Sequence, residues 1–119
     1  MLPRKHRLVR TRDFQTAVRS GRRAGTKRLV VHAYVPPSSV DPALVGLSVS
    51  RGVGNSVVRH RVSRQLRHLI SAQIERVPPG SLVMVRANPA AAGANSADLG
   101  RDLDKALRRV LSESRGGQL

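Results

Sequence analysis

The segment SVVRHRVSRQLRHLISAQIERV, which follows Asn55, admits few arrangements. Val58, Val62, Leu66, Leu69, Ile70 and Val77 recur at the spacing of one helical face, so the segment predicts an amphipathic helix that gives one side to a core. Asn55 stands where the N-cap of such a helix belongs. At about 100° per residue, His60, Arg61, Arg64, Arg67 and His68 fall on the opposite side, with Arg59 near the boundary. No acid interrupts this row before Glu75. Like charges three and four residues apart oppose helix formation by about 0.2–0.5 kcal/mol per pair. The row is costly unless an anion neutralises it, and it predicts a polyanionic partner.

The composition agrees. Lys plus Arg number 22 against 7 Asp plus Glu, a formal net charge of +15, far beyond what solubility requires. All the basic residues except Lys5, Lys27 and Lys105 are Arg, whose planar fork grips phosphate and stacks on bases, which favours nucleic acid over a membrane surface. The absence of Cys excludes disulfides, Cys-ligated zinc and thiolate chemistry. His60 and His68 invite a two-histidine nuclease, but they sit on a helix surface with no carboxylate to fix a tautomer, and no catalytic side chain is expected. The same residues with His32 lack acidic or Cys partners, so no metal site is expected in the protein. The apolar runs are too short to span a bilayer, so no membrane partner is expected. The opening MLPRKHRLVR is not followed by the apolar run of a secretory signal, and a cytoplasmic location is expected. A chain of 119 residues predicts one domain, set at 1–115, with 1–10 a flexible basic arm and 116–119 a frayed tail.

The order of elements follows from local patterns. Thr11 is placed to cap a short helix, RDFQTAVRS, with Phe14, Ala17 and Val18 on one face and Gly21 ending it. RLVVHAYV from Arg28 reads as a strand. PPSSVDPA is a loop whose PPSSV stretch is a candidate tight hairpin, and ALVGLSVS is a second strand with Val45, Leu47 and Val49 inward. After the RGVGN turn and the long helix, PPG makes a turn and SLVMVRA reads as a strand buried on both faces. NPAAAGANS is a loop, and Ser96 caps a last helix that turns Leu99, Leu103, Leu107 and Val110 inward. Asp98, Asp102 and Asp104 come early in that helix and Arg108 and Arg109 late, matching its dipole. The pattern predicts an α+β fold, a two-layer sandwich of helices on one small sheet.

The run GLSVSRGVGNSVVRHRVSRQLR, from Gly46 to Arg67, resembles the signature of the protein subunit of bacterial ribonuclease P. In that family a strand and a Gly-Asn turn lead into a helix with an Arg-Asn-Arg triplet and further basic residues. Upstream, RLVRTRDFQTAVRSGRR resembles the family's N-terminal basic helix with its Asp-Phe pair. The resemblance covers nearly the whole chain and weakens over residues 87–119. It implies a mixed four-stranded sheet with three helices and a left-handed βαβ crossover, an exception to the usual right-handed rule, in a fold shared with the second domain of a small-subunit ribosomal protein. It also implies a role as the protein cofactor of a ribonucleoprotein endonuclease that removes the 5′ leader from precursor tRNA. Hydrolysis would be carried out by the catalytic RNA and Mg²⁺ held mainly by that RNA, with one protein per RNA.

Carried over residue by residue, the resemblance assigns Arg51, Asn55, Arg59, His60, Arg61, Arg64, Arg67 and His68 to the catalytic RNA, and Phe14, Val18, Leu29 and His32 to a cleft for the single-stranded leader. His60 stands where the family usually has Asn, and Ser63 where Lys is common. Val18, Leu29 and His32 occupy positions where aromatics are frequent in the family, and the chain has only Phe14 and Tyr34 to stack on a base. Electrostatics should carry a larger share of leader affinity. The alternative is a general or ribosome-associated RNA-binding protein, which would share the charge and lack the cleft.

Overall fold

Period-two alternation and one helical crossover build the molecule; the computed structural model describes residues 4–116, with side chains as far as Leu111. Its strands are β1 (Arg22–Gly25), β2 (Leu29–Tyr34), β3 (Leu44–Val49) and β4 (Leu82–Ala87). Its longer helices are α1 (Thr11–Ser20), α2 (Ser56–Gln73) and α3 (Ser96–Gly116), joined in places by short 3₁₀ turns. The sheet order is β1-β2-β4-β3. β2 pairs antiparallel with β1 and β4, whereas β3 and β4 run parallel. Parallel neighbours cannot be closed by a hairpin, so the chain between them must cross the sheet, and α2 is that crossover.

One face of the sheet presents Leu29, Val31, Ala33, Val45, Val83 and Val85 to Val62, Leu66 and Ile70 of α2 and to Leu99, Leu103 and Val110 of α3. This is the core. α1 lies on the other face, passing from Phe14 above Gly46 of β3 to Gly21 against Ala33 of β2. A Cβ at Gly21 would stand 2.4 Å from the Ala33 carbonyl oxygen and 2.5 Å from that of Ala17, so only glycine lets the helix end close onto β2. Arg28, beside α3, ties the start of β2 to Asp102 at 3.3 Å, and Arg76 ties the turn after α2 to Asp104 at 2.6 Å.

Several expectations are corrected. The fourth strand is β1, in the Arg-rich stretch before β2, and PPSSV holds no hairpin, because β2 and β3 lie on either side of β4 and cannot pair with each other. β4 is fully buried on one face only: Val83, Val85 and Ala87 are enclosed, Met84 is half-buried and Arg86 is exposed. Thr11 is the first residue of α1; Arg10 occupies the cap position and no side chain caps the helix. α3 is capped by Asn95, whose Oδ1 accepts from the Asp98 N–H at 2.8 Å, because Ser96 already lies inside the helix. The small-residue stretch contains a 3₁₀ turn, Pro89–Gly93. Within the 1–10 arm, Leu8 is buried and its N–H donates to the Val45 carbonyl at 3.0 Å. The 116–119 tail lies outside the described residues apart from the backbone of Gly116.

Candidate nucleic-acid interface

The cationic helix starts where Asn55 predicts it. Its Oδ1 accepts from the Val58 N–H at 3.0 Å, and the preceding Arg51–Val53 turn brings Arg51, exposed, to the same end. Asn55→Ala should cost about 1 kcal/mol of stability by removing this cap, and Asn55→Asp should largely keep it. Urea midpoints of the two variants check this; a cost equal in both would show that the cap is not what Asn55 contributes.

From that start, helical geometry sends the three members of the Arg59-His60-Arg61 triplet in three directions. Arg61 leans to one flank and donates from Nη2 to the Ala92 carbonyl, holding the 89–93 turn against the helix. Gln65, one turn on, donates to the Ser96 hydroxyl at 3.2 Å on that flank. His60 points outward with Arg64, Arg67 and His68, all exposed. Arg59 turns to the opposite flank and is half-buried, its Nε enclosed without a hydrogen-bond partner. Ser63 and Arg67 follow one and two turns later on the side of the helix that borders β3.

That border is a groove. β3 is an edge strand, and its Leu44 N–H turns inward to the Ser81 carbonyl while its Val45 carbonyl turns outward to Leu8. By alternation the main-chain groups of Leu47 also point outward, past the end of the docked arm. A cavity of about 400 Å³ opens there, lined by Arg7, Leu8, Val9, Phe14, Val45, Gly46, Leu47 and Arg67. Phe14 forms its upper wall because Gly46 leaves the space: a Cβ at Gly46 would come within 2.7 Å of the Phe14 ring.

Val18 lies one turn after Phe14 on the same flank of α1 and is exposed, so these two form one wall over the sheet. His32 is half-buried on the sheet face below α1, in one cross-strand row with Arg23, Met84 and Gly46. Leu29 is not part of this cleft. Its separation from His32 is odd, so alternation puts it on the opposite face, fully buried in the core with Val31. Val30 takes the place on the His32 face, and Tyr34 joins it, half-buried. Arg23 and Arg86, both exposed on this face, were not singled out from the sequence. The signal for Arg86 was present: it breaks the apolar run of β4 at a position of opposite parity to Val83 and Val85.

Electrostatically the two sides of the protein differ. Asp98, Asp102 and Asp104 of α3 are paired with Arg28, Arg76, Arg101 and Arg108, and hydrogen bonds from Arg76 and then Arg108 hold the Asp104 carboxyl below its ordinary pKa. The outer face of α2 has no such acids. Burial, reinforced by Arg23 and Arg86, lowers the pKa of His32, so its ring is neutral at pH 7. The folded chain therefore binds less proton there than the unfolded chain, and this group's support for the fold is withdrawn as pH falls below the ordinary histidine value. Among the described residues no group of three His, Asp or Glu is placed to hold a metal ion.

Fold and surface together define a small α+β protein with one helix and one cleft charged to hold a polyanion. Residues 2–111 match the ribonuclease P family. The ribonuclease P protein component of Streptomyces bikiniensis is 51% identical over 118 residues, covering 93% of this chain and 96% of that relative. The component of a Nocardioides species is 47% identical over 117 residues, covering 98% and 100%. The RNase P protein of Staphylococcus aureus has the same fold, with a TM-score of 0.76 over 87% of this chain and 93% of that one at 22% identity. That of Thermotoga maritima gives 0.73 over 87% and 96% at 20%. The chain belongs to the ribonuclease P protein component family, and is thereby a protein subunit of an endoribonuclease.

Proposed function

We propose that this chain is the protein cofactor of a cytoplasmic ribonuclease P, one copy binding one catalytic RNA through α2 and the 5′ leader of precursor tRNA through the α1 cleft. The observation that carries this reading is the juxtaposition of an uncompensated cationic helix face with an adjoining cleft walled by Phe14 and bordered by Arg67, beside a sheet face that carries His32 under α1 and the exposed Val18. Arg51, His60, Arg64, Arg67 and His68 are free to meet phosphates of the catalytic RNA, and the Asn55 end of the helix adds its dipole. Arg61 acts mainly by fixing the 89–93 turn beside them. Arg67 borders the β3 groove, where an unstacked base can lie on Phe14.

The donor set does not fit a divalent cation held by the protein, since the α3 carboxylates are engaged by guanidiniums and the α2 face would repel a cation. Mg²⁺ belongs to the RNA in this reading, and the protein moves no proton. It offsets repulsion between two RNAs and holds precursor more tightly than product, because only the precursor carries a leader.

Cleavage of precursor tRNA by the host's ribonuclease P RNA at low Mg²⁺, with and without this protein, tests the reading. Strong protein-dependent cleavage at the mature 5′ end is expected. Binding without stimulation would instead favour a general RNA-binding protein.

A further inference from the structure

The register of the sheet brings two arginines onto the face below α1, one of them on an interior strand. Arg23 of β1 lies opposite His32, and Arg86 of β4 lies opposite Val30, two residues further along the same face of β2. From ordinary strand spacings their Cα atoms are about 12 Å apart, a gap that two extended guanidinium side chains can close. Both are exposed, and among the described residues neither has a carboxylate partner. The ring between them, His32, is neutral and has a buried Nδ1 without a hydrogen-bond partner, so it does not add a competing charge.

Charge on an edge strand is an ordinary defence against edge-to-edge pairing, and it accounts for Arg22 and Arg23 on β1. It does not account for Arg86. β4 is an interior strand, paired on both sides, and Arg86 stands between Val30 and Ser48. Two guanidiniums extended toward each other over one sheet face repel until an anion comes between them. The cleft offers little stacking surface beyond Phe14 and Tyr34, so a strand of RNA lying in it needs a second kind of grip.

We propose that Arg23 and Arg86 form a clamp for a phosphate of the single-stranded 5′ leader, on the sheet face beyond Phe14 and Val18. The inference rests on the leader-binding reading above and adds residues and a ligand group to it. The clamp makes leader affinity depend on backbone charge rather than base identity. It predicts that one leader linkage matters through its charge, whatever the base attached to it.

The test uses holoenzyme reconstituted with the catalytic RNA, and precursor tRNAs in which successive leader linkages are replaced, one at a time, by uncharged methylphosphonates. With the native protein one position should weaken precursor binding about tenfold. In Arg23→Ala/Arg86→Ala that position should lose its penalty, precursor preference over mature tRNA should fall by about tenfold, and affinity for the catalytic RNA should stay the same. Arg23→Gln/Arg86→Gln repeats the test with longer side chains in case the alanine pair folds poorly. An undiminished penalty in either folded double variant overturns the clamp while leaving the leader cleft standing. A native holoenzyme with no preference for precursor over mature tRNA overturns the leader reading itself, and the clamp with it.

Discussion

Replacing Arg51, Arg64 and Arg67 together by Ala is expected to weaken binding of the catalytic RNA by about 100-fold or more at moderate salt, with little loss of fold. Each exposed guanidinium that neutralises a phosphate of a duplex contributes about 0.9 to the slope of log K against log salt, so the slope should fall by between two and three units. The fold should survive because the stripe that holds α2 to the core, Val62, Leu66 and Ile70, is untouched and because removing like charges relieves repulsion. Arg61→Ala is the informative control. Its guanidinium is tied to the Ala92 carbonyl, so this change should loosen the 89–93 turn and alter the salt slope less than any of the other three. Affinity titrations of both variants from low to moderate salt decide the matter, and a triple variant with an unchanged slope would remove the α2 face from RNA binding.

Gly21→Ala should be the most damaging single methyl in the α1 half of the protein. The new Cβ would meet the main-chain oxygens of Ala33 and Ala17 at 2.4 and 2.5 Å, and main chain cannot swing aside as a flexible side-chain tip can. The end of α1 must lift from β2, at a cost of about 2–3 kcal/mol if overpacking elsewhere is a guide. Function should fall further than stability, because the same helix carries Phe14 and Val18 over the sheet. The expected result is a lowered urea midpoint together with loss of precursor preference and unaltered binding of the catalytic RNA, which we propose to be held by α2. A variant with native stability would show that α1 is not seated as the close Gly21 approach indicates.

The sequence by itself determined the helix that matters most. Asn55, the Val62-Leu66-Ile70 stripe and the acid-free cationic row were all legible, because a cap and a 3.6-residue period are local properties. The same holds for β2 and β3 and for the core side of α3. β1 was hidden because Arg22 and Arg23 carry no apolar alternation; its place as an edge strand comes from pairing with β2, which is a long-range interaction. Leu29 was misassigned to the cleft although strand parity alone separates it from His32.

Other features only the tertiary structure decided. The triplet splits into three environments because the 89–93 turn lies beside Arg61 while the Arg59 Nε is enclosed and His60 is exposed, and no local pattern encodes those neighbours. Arg23 and Arg86 are 63 positions apart in the chain and meet on one face because β2 is paired with both their strands. The cleft exists because glycine at 21 and 46 lets α1 approach the sheet closely at both ends. Periodicity reports which side of an element faces a core; which element covers the other side is set by how the chain closes on itself.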